Sequence, residues 1–195
     1  MLYSLVRFTA YVLFKILFRL EIIGVNNIPK KGGFILASNH VSFLDPISLA
    51  AGTRRHLNFM ARHDLFKGRF GKFISSVGAF QVERGKPDLS AIKEAIRRVE
   101  NGGGLLLFPE GERKVDNDSS GPQPGIGFLA SKLEVPVIPA LVTGTDTAWP
   151  RDAKFIKFTK IKVLFGPQII IKRGLPYQDI AMLIMDRIKL LSCQQ

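Results

Sequence analysis

The residues FILASNHVSFLDP, numbered 34–46, join a buried strand to a helix and set the architecture of the chain around them. The apolar run 34–38 predicts a strand that is covered on both faces. Asp45 and Pro46 predict the start of a helix, with Asp45 as its N-cap and Pro46 in the first helical position. Residues 39–44 are therefore a loop at the carboxyl end of a strand, where open α/β sheets bind their ligands.

His40 and Asp45 are the candidate catalytic pair of this loop. A histidine can accept a proton near neutral pH, and a carboxylate can hold its ring in one tautomer and stabilise the imidazolium. On a continuous helix, residues five positions apart would point about 140 degrees from each other, whereas a loop can fold His40 back toward Asp45. Such a pair could make a hydroxyl nucleophilic. The alternative interpretation is an ordinary polar loop residue beside a helix cap.

Apolar runs and helical patterns alternate along the rest of the chain. Strands are predicted at 33–38, 57–61, 79–82, 104–108, 136–142 and 161–165, and helices at 46–52, 65–76, 89–100, 125–133 and 177–191. Asp88 is the predicted cap of the helix at 89–100. The alternation predicts an α/β fold, in which a single domain contains a mostly parallel β-sheet covered by helices.

Residues 2–23 are the most apolar long segment of the chain. Arg7, Lys15 and Arg19 fall within one arc of a helical wheel, and most of the aliphatic side chains, Leu20 included, lie opposite. The pattern predicts a basic amphipathic helix over residues 1–23 that lies in the lipid headgroup region, followed by the main domain over 24–195. A membrane span is the alternative, which Lys15 disfavours because a basic residue at mid-bilayer costs about 2.5 to 3.5 kcal/mol.

The net charge of +12, from 28 basic and 16 acidic residues, indicates an anionic partner. Nucleic acid and anionic lipid both qualify. No helix-turn-helix, zinc-finger or RNA-recognition pattern is present, so a membrane phospholipid surface is the expected partner and nucleic acid is not. Cys193 is the only cysteine, and the three histidines lack His-Glu-x-x-His spacing, so we expect neither an internal disulfide nor a metal site.

Three further segments form or follow predicted strands. Arg84 comes after the strand at 79–82, and Arg113 follows the turn Pro109-Glu110-Gly111 that ends the strand at 104–108. An arginine fork in either place could bind a phosphate, although a solvated surface arginine is the alternative for each. Val135 to Ala140 is an apolar strand with two prolines, which could serve packing or line an apolar groove.

These segments together resemble the four sequence blocks of the glycerolipid acyltransferase family. The blocks are Asn39-His40 with Asp45, Gly78 to Arg84, Phe108 to Gly111 with Arg113, and Val135 to Pro139. Their order and separation are closest to those of bacterial-type 1-acylglycerol-3-phosphate (lysophosphatidic acid) acyltransferases. The resemblance spans about residues 30–145, and it is specific because four blocks agree where one alone would be weak.

The resemblance assigns a role to each block. It implies that His40 is the general base and Asp45 its orienting partner. The acceptor site would be shaped by Arg84, Glu110, Gly111 and Arg113, and the acyl-donor site would be supported by Val135, Pro136 and Pro139. Family members commonly have Thr and Ser where this chain has Glu112 and Lys114, so the acceptor headgroup is less firmly implied than the chemistry.

The implied reaction is acyl transfer from a thioester to the free hydroxyl of a lysophospholipid, above all 1-acylglycerol 3-phosphate, giving phosphatidic acid. The co-substrate would be acyl-CoA or acyl-carrier protein, with no cofactor, and the enzyme would work at the cytoplasmic face of a membrane. The alternatives are a different lysolipid acceptor, or a non-catalytic basic protein that binds lipid or nucleic acid. A serine hydrolase is disfavoured because Ser42 is not in a Gly-x-Ser-x-Gly pattern.

Overall fold

A seven-stranded sheet forms the centre of the protein. The computed structural model describes residues 2–83, 88–111, 121–150, 153–171 and 174–194. The strands are β1 (Glu21–Ile23), β2 (Phe34–Ser38), β3 (Leu57–Arg62), β4 (Ala79–Val82), β5 (Gly104–Leu107), β6 (Val137–Thr143) and β7 (Lys162–Phe165). The helices are α1 (Leu2–Leu17), α2 (Asp45–Gly52), α3 (Gly68–Ser76), α4 (Leu89–Glu100), α5 (Pro124–Leu133), α6 (Thr145–Ala148) and α7 (Tyr177–Leu190). Short 3-10 turns occur at Val25–Asn27, His63–Phe66 and Leu191–Gln194.

The strand order is β1-β7-β6-β2-β5-β3-β4. Strands β2 to β6 all run in the same direction, β7 is antiparallel to β6, and β1 is parallel to β7. The prediction of a single α/β domain with a mostly parallel sheet and helices is therefore confirmed. Because β2 is central, its carboxyl end and the loop after it lie between the ends of β5 and β6.

Helices cover both faces of β2, which explains why all five of its residues are buried. Phe34 and Leu36 belong to the core beneath α1 and α2, whereas Ile35 and Ala37 belong to the core beneath α4, α5 and α7. Successive side chains of a strand point to opposite faces, so one short apolar run contributes to both cores. This double anchoring fixes the position from which residues 39–44 depart.

The predicted elements agree with the observed ones within two residues, except in three places. Helix α4 has its predicted bounds, and the Asp88 carboxylate caps it by accepting a hydrogen bond from the Ala91 amide at 3.0 Å. The helix predicted at 65–76 is a 3-10 turn followed by α3, and the four-residue helix α6 was not predicted. The third difference is at the N-terminus.

Helix α1 ends at Leu17, six residues before the predicted end at residue 23. Arg19 has a φ of 48°, in the left-handed region, which stops the helical path. Leu20 is 1% exposed and packs in the core, so the expectation that it lies on the outer apolar side was wrong. Residues Glu21–Ile23 then pair with β7 as strand β1, because their backbone continues along the edge of the sheet.

One side of α1 is docked on the main domain. The Tyr3 ring stacks on His56 with ring centroids 3.8 Å apart, and the Leu57 amide donates to the Tyr3 hydroxyl at 2.9 Å. Arg7 donates to the Thr53 carbonyl at 3.0 Å. The prediction that Arg7 belongs to a cationic arc facing lipid was therefore wrong, because its guanidinium satisfies a carbonyl at the end of α2.

The other side of α1 is apolar and exposed. Its most exposed large apolar side chains, Leu2, Leu5, Phe8, Leu13 and Ile16, are between 49% and 70% exposed. Among the described residues, no helix is both long enough and apolar enough to cross a bilayer. The helix is therefore docked on the domain by one side and apolar on the side that faces away, with Lys15 and Arg19 exposed near its C-terminal end.

Candidate active site

His40 and Asp45 meet at the carboxyl end of β2, as the sequence predicts. His40 Nδ1 lies 2.9 Å from Asp45 Oδ2. The Asp45 side chain is fully buried, whereas the His40 side chain remains 13% exposed. Since an ionised carboxylate can only accept a hydrogen bond, Nδ1 carries the proton and the lone pair is left on Nε2. The imidazole is therefore held in the tautomer that a general base requires.

Asp45 is the first residue of α2, and it is not the N-cap that the sequence predicted. The N-cap position belongs to Leu44, so Pro46 occupies the second helical position. The Asp45 carboxylate turns back into the preceding loop, where Oδ2 accepts hydrogen bonds from the amides of Val41 at 2.7 Å and Ser42 at 2.8 Å. One carboxylate thus shapes the loop and orients the histidine.

Thr145 completes the surroundings of Asp45, and sequence reasoning missed it. Its hydroxyl donates to Asp45 Oδ1 at 2.6 Å, and neither residue has exposed surface. A buried carboxylate is costly unless donors surround it, and Asp45 accepts from two amides, a hydroxyl and an imidazole. Thr145 is 100 residues away and follows β6, so only the adjacency of β2 and β6 could have identified it.

Asn39 joins the ends of β2 and β6. Its side-chain amide donates to the Val142 carbonyl at 2.9 Å, and its side-chain oxygen accepts from the Val142 amide at 2.8 Å. The side chain thereby continues the ladder between the two strands beyond Ser38. This pair of bonds holds the loop that carries His40 against the segment that carries Thr145.

The turn after β5 lies beside the imidazole. The Phe108 ring stacks on His40 with centroids 3.9 Å apart and an angle of 15° between the planes. A hydrogen bond from the Gly111 amide to the Phe108 carbonyl, at 2.9 Å, closes the turn. Gly111 has a φ of 77°, a backbone conformation that favours glycine. Glu110 is buried within this turn. The sequence predicted Glu110 and Gly111 as site residues, but it gave Phe108 no role.

The nearby hydroxyl of Ser42 is occupied by structural contacts. Its Oγ donates to the Trp149 carbonyl at 3.0 Å and accepts from the Leu44 amide at 3.3 Å, and the residue is 1% exposed. Cys193 is exposed in the 3-10 turn that follows α7. Neither side chain is positioned as a nucleophile activated by His40.

Arg84 and Arg113 lie outside the described residues, as do Glu112 and Lys114. The neighbouring described residues are Glu83, just after β4, and Gly111, just after β5. Strands β2, β4 and β5 run in the same direction, so Glu83 and Gly111 follow the carboxyl ends of their strands, on the same side of the sheet as His40. The phosphate-binding roles of the two arginines remain predictions.

The Val135 to Pro139 segment is placed differently from the other blocks. The Pro136 carbonyl accepts a hydrogen bond from the Ile35 amide at 3.0 Å. Val135 and Pro136 therefore lie at the amino ends of β2 and β6, whereas His40 lies at the carboxyl end of β2. Pro139 is in the middle of β6, where its carbonyl accepts from Gly166 at 2.7 Å. The residues pack within the sheet, and their support of a donor site remains a prediction.

Comparisons with known proteins agree with this arrangement. The family model described as Acyltransferase matches residues 19–143. The chain is 28% identical over 142 residues to the 1-acyl-sn-glycerol-3-phosphate acyltransferase of Bacillus subtilis, covering 72% of this chain and 68% of that protein. It is 35% identical over 117 residues to the Streptococcus pneumoniae protein of the same name, covering 58% of this chain and 43% of that protein.

A solved structure shares the fold. The crystal structure of the 1-acyl-sn-glycerophosphate (LPA) acyltransferase PlsC from Thermotoga maritima has a TM-score of 0.82 and 22% sequence identity. The similarity covers 98% of this chain and 79% of the Thermotoga chain. The same architecture therefore extends over nearly the whole of the chain, including the segments outside the family match.

Proposed function

The chain belongs to the acyltransferase family as an enzyme of the 1-acyl-sn-glycerol-3-phosphate acyltransferase type, and we propose that it uses His40 as a general base. The proposed reaction moves a fatty acyl group from a thioester to the free hydroxyl of 1-acylglycerol 3-phosphate, giving phosphatidic acid. The observation that carries the proposal is the contact between His40 Nδ1 and the buried Asp45 carboxylate at 2.9 Å.

In the proposed step, the acceptor hydroxyl gives its proton to His40 Nε2 while its oxygen attacks the thioester carbonyl carbon. Asp45 stabilises the imidazolium that forms. The new carbon–oxygen bond replaces the carbon–sulfur bond, and the imidazolium returns the proton to the departing thiolate. The step needs no covalent acyl-enzyme, which agrees with the structural contacts of the Ser42 hydroxyl. Acyl-CoA or acyl-carrier protein supplies the thioester, and no further cofactor is required.

The acceptor phosphate is proposed to bind through Arg84 and Arg113, with Glu110 and Gly111 shaping the site. The turn that holds Glu110 and Gly111 begins at Phe108, which stacks on His40, so an acceptor held there would be close to the base. An arginine fork matches the geometry of a phosphate. Replacing either arginine should raise the apparent KM for the acceptor with a smaller effect on kcat.

Membrane contact is proposed to occur through the exposed apolar side of α1. Its side chains suit the boundary between headgroups and acyl chains, and the net charge of +12 favours an anionic leaflet. With its other side docked on α2, the helix would lie along the membrane and hold the domain at the surface. We propose that the membrane face in question is the cytoplasmic one, where the lipid acceptor is dissolved.

The proposal is tested by incubating the purified protein with labelled acyl-CoA or acyl-carrier protein and a panel of lysolipids that differ in headgroup. We expect phosphatidic acid from 1-acylglycerol 3-phosphate as the fastest product. Faster turnover of another lysolipid would identify that lysolipid as the acceptor. This outcome is compatible with the sequence, because Glu112 and Lys114 stand where family members commonly have Thr and Ser. Absence of acyl transfer to every acceptor from both donors would overturn the proposed reaction and favour a non-catalytic lipid-binding protein.

A further inference from the structure

Residues 153–160, AKFIKFTK, connect α6 to β7 and alternate lysines with large apolar side chains. Phe155, Ile156 and Phe158 are 81%, 41% and 61% exposed, and the value for Phe155 is the highest for any large apolar side chain in the described part of the chain. Lys154 and Lys157 are also exposed. A short surface segment that presents both kinds of group is suited to a partner with an apolar interior and an anionic surface.

The backbone of the 153–160 segment is held in place by the domain. The Lys157 amide donates to the Ala148 carbonyl at 2.8 Å, and the Thr159 hydroxyl donates to the Gly144 carbonyl at 3.3 Å. The Ile161 amide, just beyond it, donates to the Phe18 carbonyl at 3.0 Å. The apolar side chains are therefore presented from a fixed backbone, which lowers the ordering cost of binding.

The segment lies between the end of α1 and the loop that carries His40. The Phe158 ring contacts the Phe18 ring edge-on, with centroids 5.6 Å apart. On the other side, Trp149 contacts the Phe43 ring at 5.6 Å, and its carbonyl accepts the Ser42 hydroxyl. Phe18 is itself buried, so its contact places the segment beside the C-terminal end of α1 and apart from the exposed apolar side of that helix.

We propose that the 153–160 segment is a second membrane-binding element, which inserts Phe155 and Ile156 among the acyl chains of an anionic bilayer. Lys154 and Lys157 bind lipid phosphates at the same depth as the headgroups. An acidic protein would match the lysines, but the exposed apolar side chains interleaved with them suit the combined acyl chains and phosphates of an anionic bilayer. The element acts with α1 to fix the tilt of the domain, because two separated contacts constrain orientation where one helix alone does not. The proposal concerns membrane contact only, and it does not depend on the proposed acyl transfer.

The first test measures binding of the full chain to vesicles of phosphatidylcholine, with and without phosphatidylglycerol. Phe155→Ser with Ile156→Ser should lower the partition coefficient by about tenfold or more on both vesicles, because apolar burial is lost. Lys154→Gln and Lys157→Gln should each lower it by about fivefold on anionic vesicles only. The matched controls are Leu89→Ser and Lys93→Gln on α4, both exposed on the opposite side of the sheet, and they should change nothing.

The second test measures insertion directly. Phe155→Cys in a Cys193→Ser background is labelled with an environment-sensitive fluorophore, and Leu89→Cys in the same background is the control. Vesicles should shift the emission at position 155 to the blue and leave position 89 unchanged. A bound protein with no shift at position 155 would overturn the proposal. A shift caused by acyl-carrier protein without vesicles, together with unchanged vesicle binding by the serine variant, would also overturn it.

Turnover of a short-chain lysolipid that is soluble as a monomer separates this proposal from the proposed function. The Phe155→Ser, Ile156→Ser variant should retain wild-type turnover in that assay, since its substitutions are outside the His40 and Asp45 cluster. Failure of the wild-type protein to transfer acyl groups would leave the vesicle results unaffected. Loss of turnover on the soluble acceptor in the double variant would instead assign the segment to the active site and overturn the proposed role.

Discussion

Asp45 is a carboxylate with no exposed surface, whereas Ile16 on α1 is an isoleucine that leaves 70% of its surface exposed. Both reverse the usual distribution of polar and apolar groups in a folded chain. Around Asp45, the chain itself provides every compensating contact. Four donors from two separate places surround the carboxylate: three belong to the loop that carries His40, and the fourth is the Thr145 hydroxyl of α6.

On the outer side of α1, compensation must come from another molecule. A set of large apolar side chains on one surface marks a contact with a membrane or a partner. The proposed catalytic and membrane-binding parts of the protein therefore depart from this rule in opposite directions. We expect different consequences: substitutions at Asp45 should affect turnover and stability together, whereas substitutions on α1 should affect only where the protein resides.

Asp45→Asn should have the largest effect among these variants. An amide cannot accept all four hydrogen bonds, so at least one buried donor would be unsatisfied and the His40 tautomer would no longer be fixed. We expect turnover to fall by about 10²- to 10⁴-fold and the free energy of unfolding to fall by about 1 to 3 kcal/mol. Steady-state kinetics measure the turnover, and urea unfolding measures the free energy of unfolding. Asp186→Asn, at an exposed carboxylate on α7, is the control, and near-normal turnover of the Asp45 variant would contradict the assignment.

Leu5→Ser with Ile16→Ser should separate membrane binding from folding. The two side chains are 63% and 70% exposed, so the fold does not depend on their burial. Transfer of each from water to the bilayer boundary is worth about tenfold, so the vesicle partition coefficient should fall by about 100-fold while the unfolding midpoint stays constant. Leu190→Ser, at an exposed leucine on α7, should leave partition unchanged. An unchanged partition coefficient in the double variant would remove α1 from the membrane contact.

Thr145→Val tests whether the buried cluster works as a unit. The substitution removes only the hydroxyl that donates to Asp45 Oδ1, and we expect kcat to fall by about tenfold with little change in KM. The free energy of unfolding should fall by about 1 to 3 kcal/mol. Thr145→Ser keeps the hydroxyl and should restore most of the turnover. If the valine variant had wild-type kcat, Thr145 would serve packing alone.

Asp88 should have a smaller effect on stability. It lies in a surface region, where charged side chains are normally found. Its contacts with the Ser90 hydroxyl and the amides of Glu83 and Ala91 lower the pKa of the carboxyl to about 2. Because the folded pKa lies below the unfolded value, this stabilisation is present above about pH 4 and is lost as the pH falls toward 2. The stability of Asp88→Asn should therefore depend less on pH over that interval than the stability of the wild type. Acid unfolding curves of identical slope would contradict the capping contribution.

The sequence predicted the sheet and its helices well because the apolar runs are long and are separated by clear turn signals. The His40 and Asp45 contact was predictable because it is local, since the loop between them has little freedom once β2 and α2 are placed. Thr145 was not predictable in the same way, because its contact spans 100 residues and depends on the order of strands in the sheet. Sequence spacing contains little information on that order.

The errors at the N-terminus have a related cause. Residues 2–23 have a periodic apolar pattern, but a pattern shows which side chains share a face and not what covers that face. Tyr3 and Arg7 bind the domain, so the side of α1 that was expected to face lipid phosphates is partly a docking surface. Strand β1 was missed because three residues at a sheet edge are too few to show alternation.

We propose that the imidazole of His40, oriented by Asp45, removes the acceptor proton. The most direct test of this proposal is the kcat of His40→Ala at saturating acyl donor and lysolipid, compared with His63→Ala, which removes an exposed histidine near α3. We expect a loss of about 10²- to 10⁴-fold for His40→Ala in a folded protein and no loss for His63→Ala. A folded His40→Ala protein that retains more than about a tenth of the wild-type kcat would contradict it.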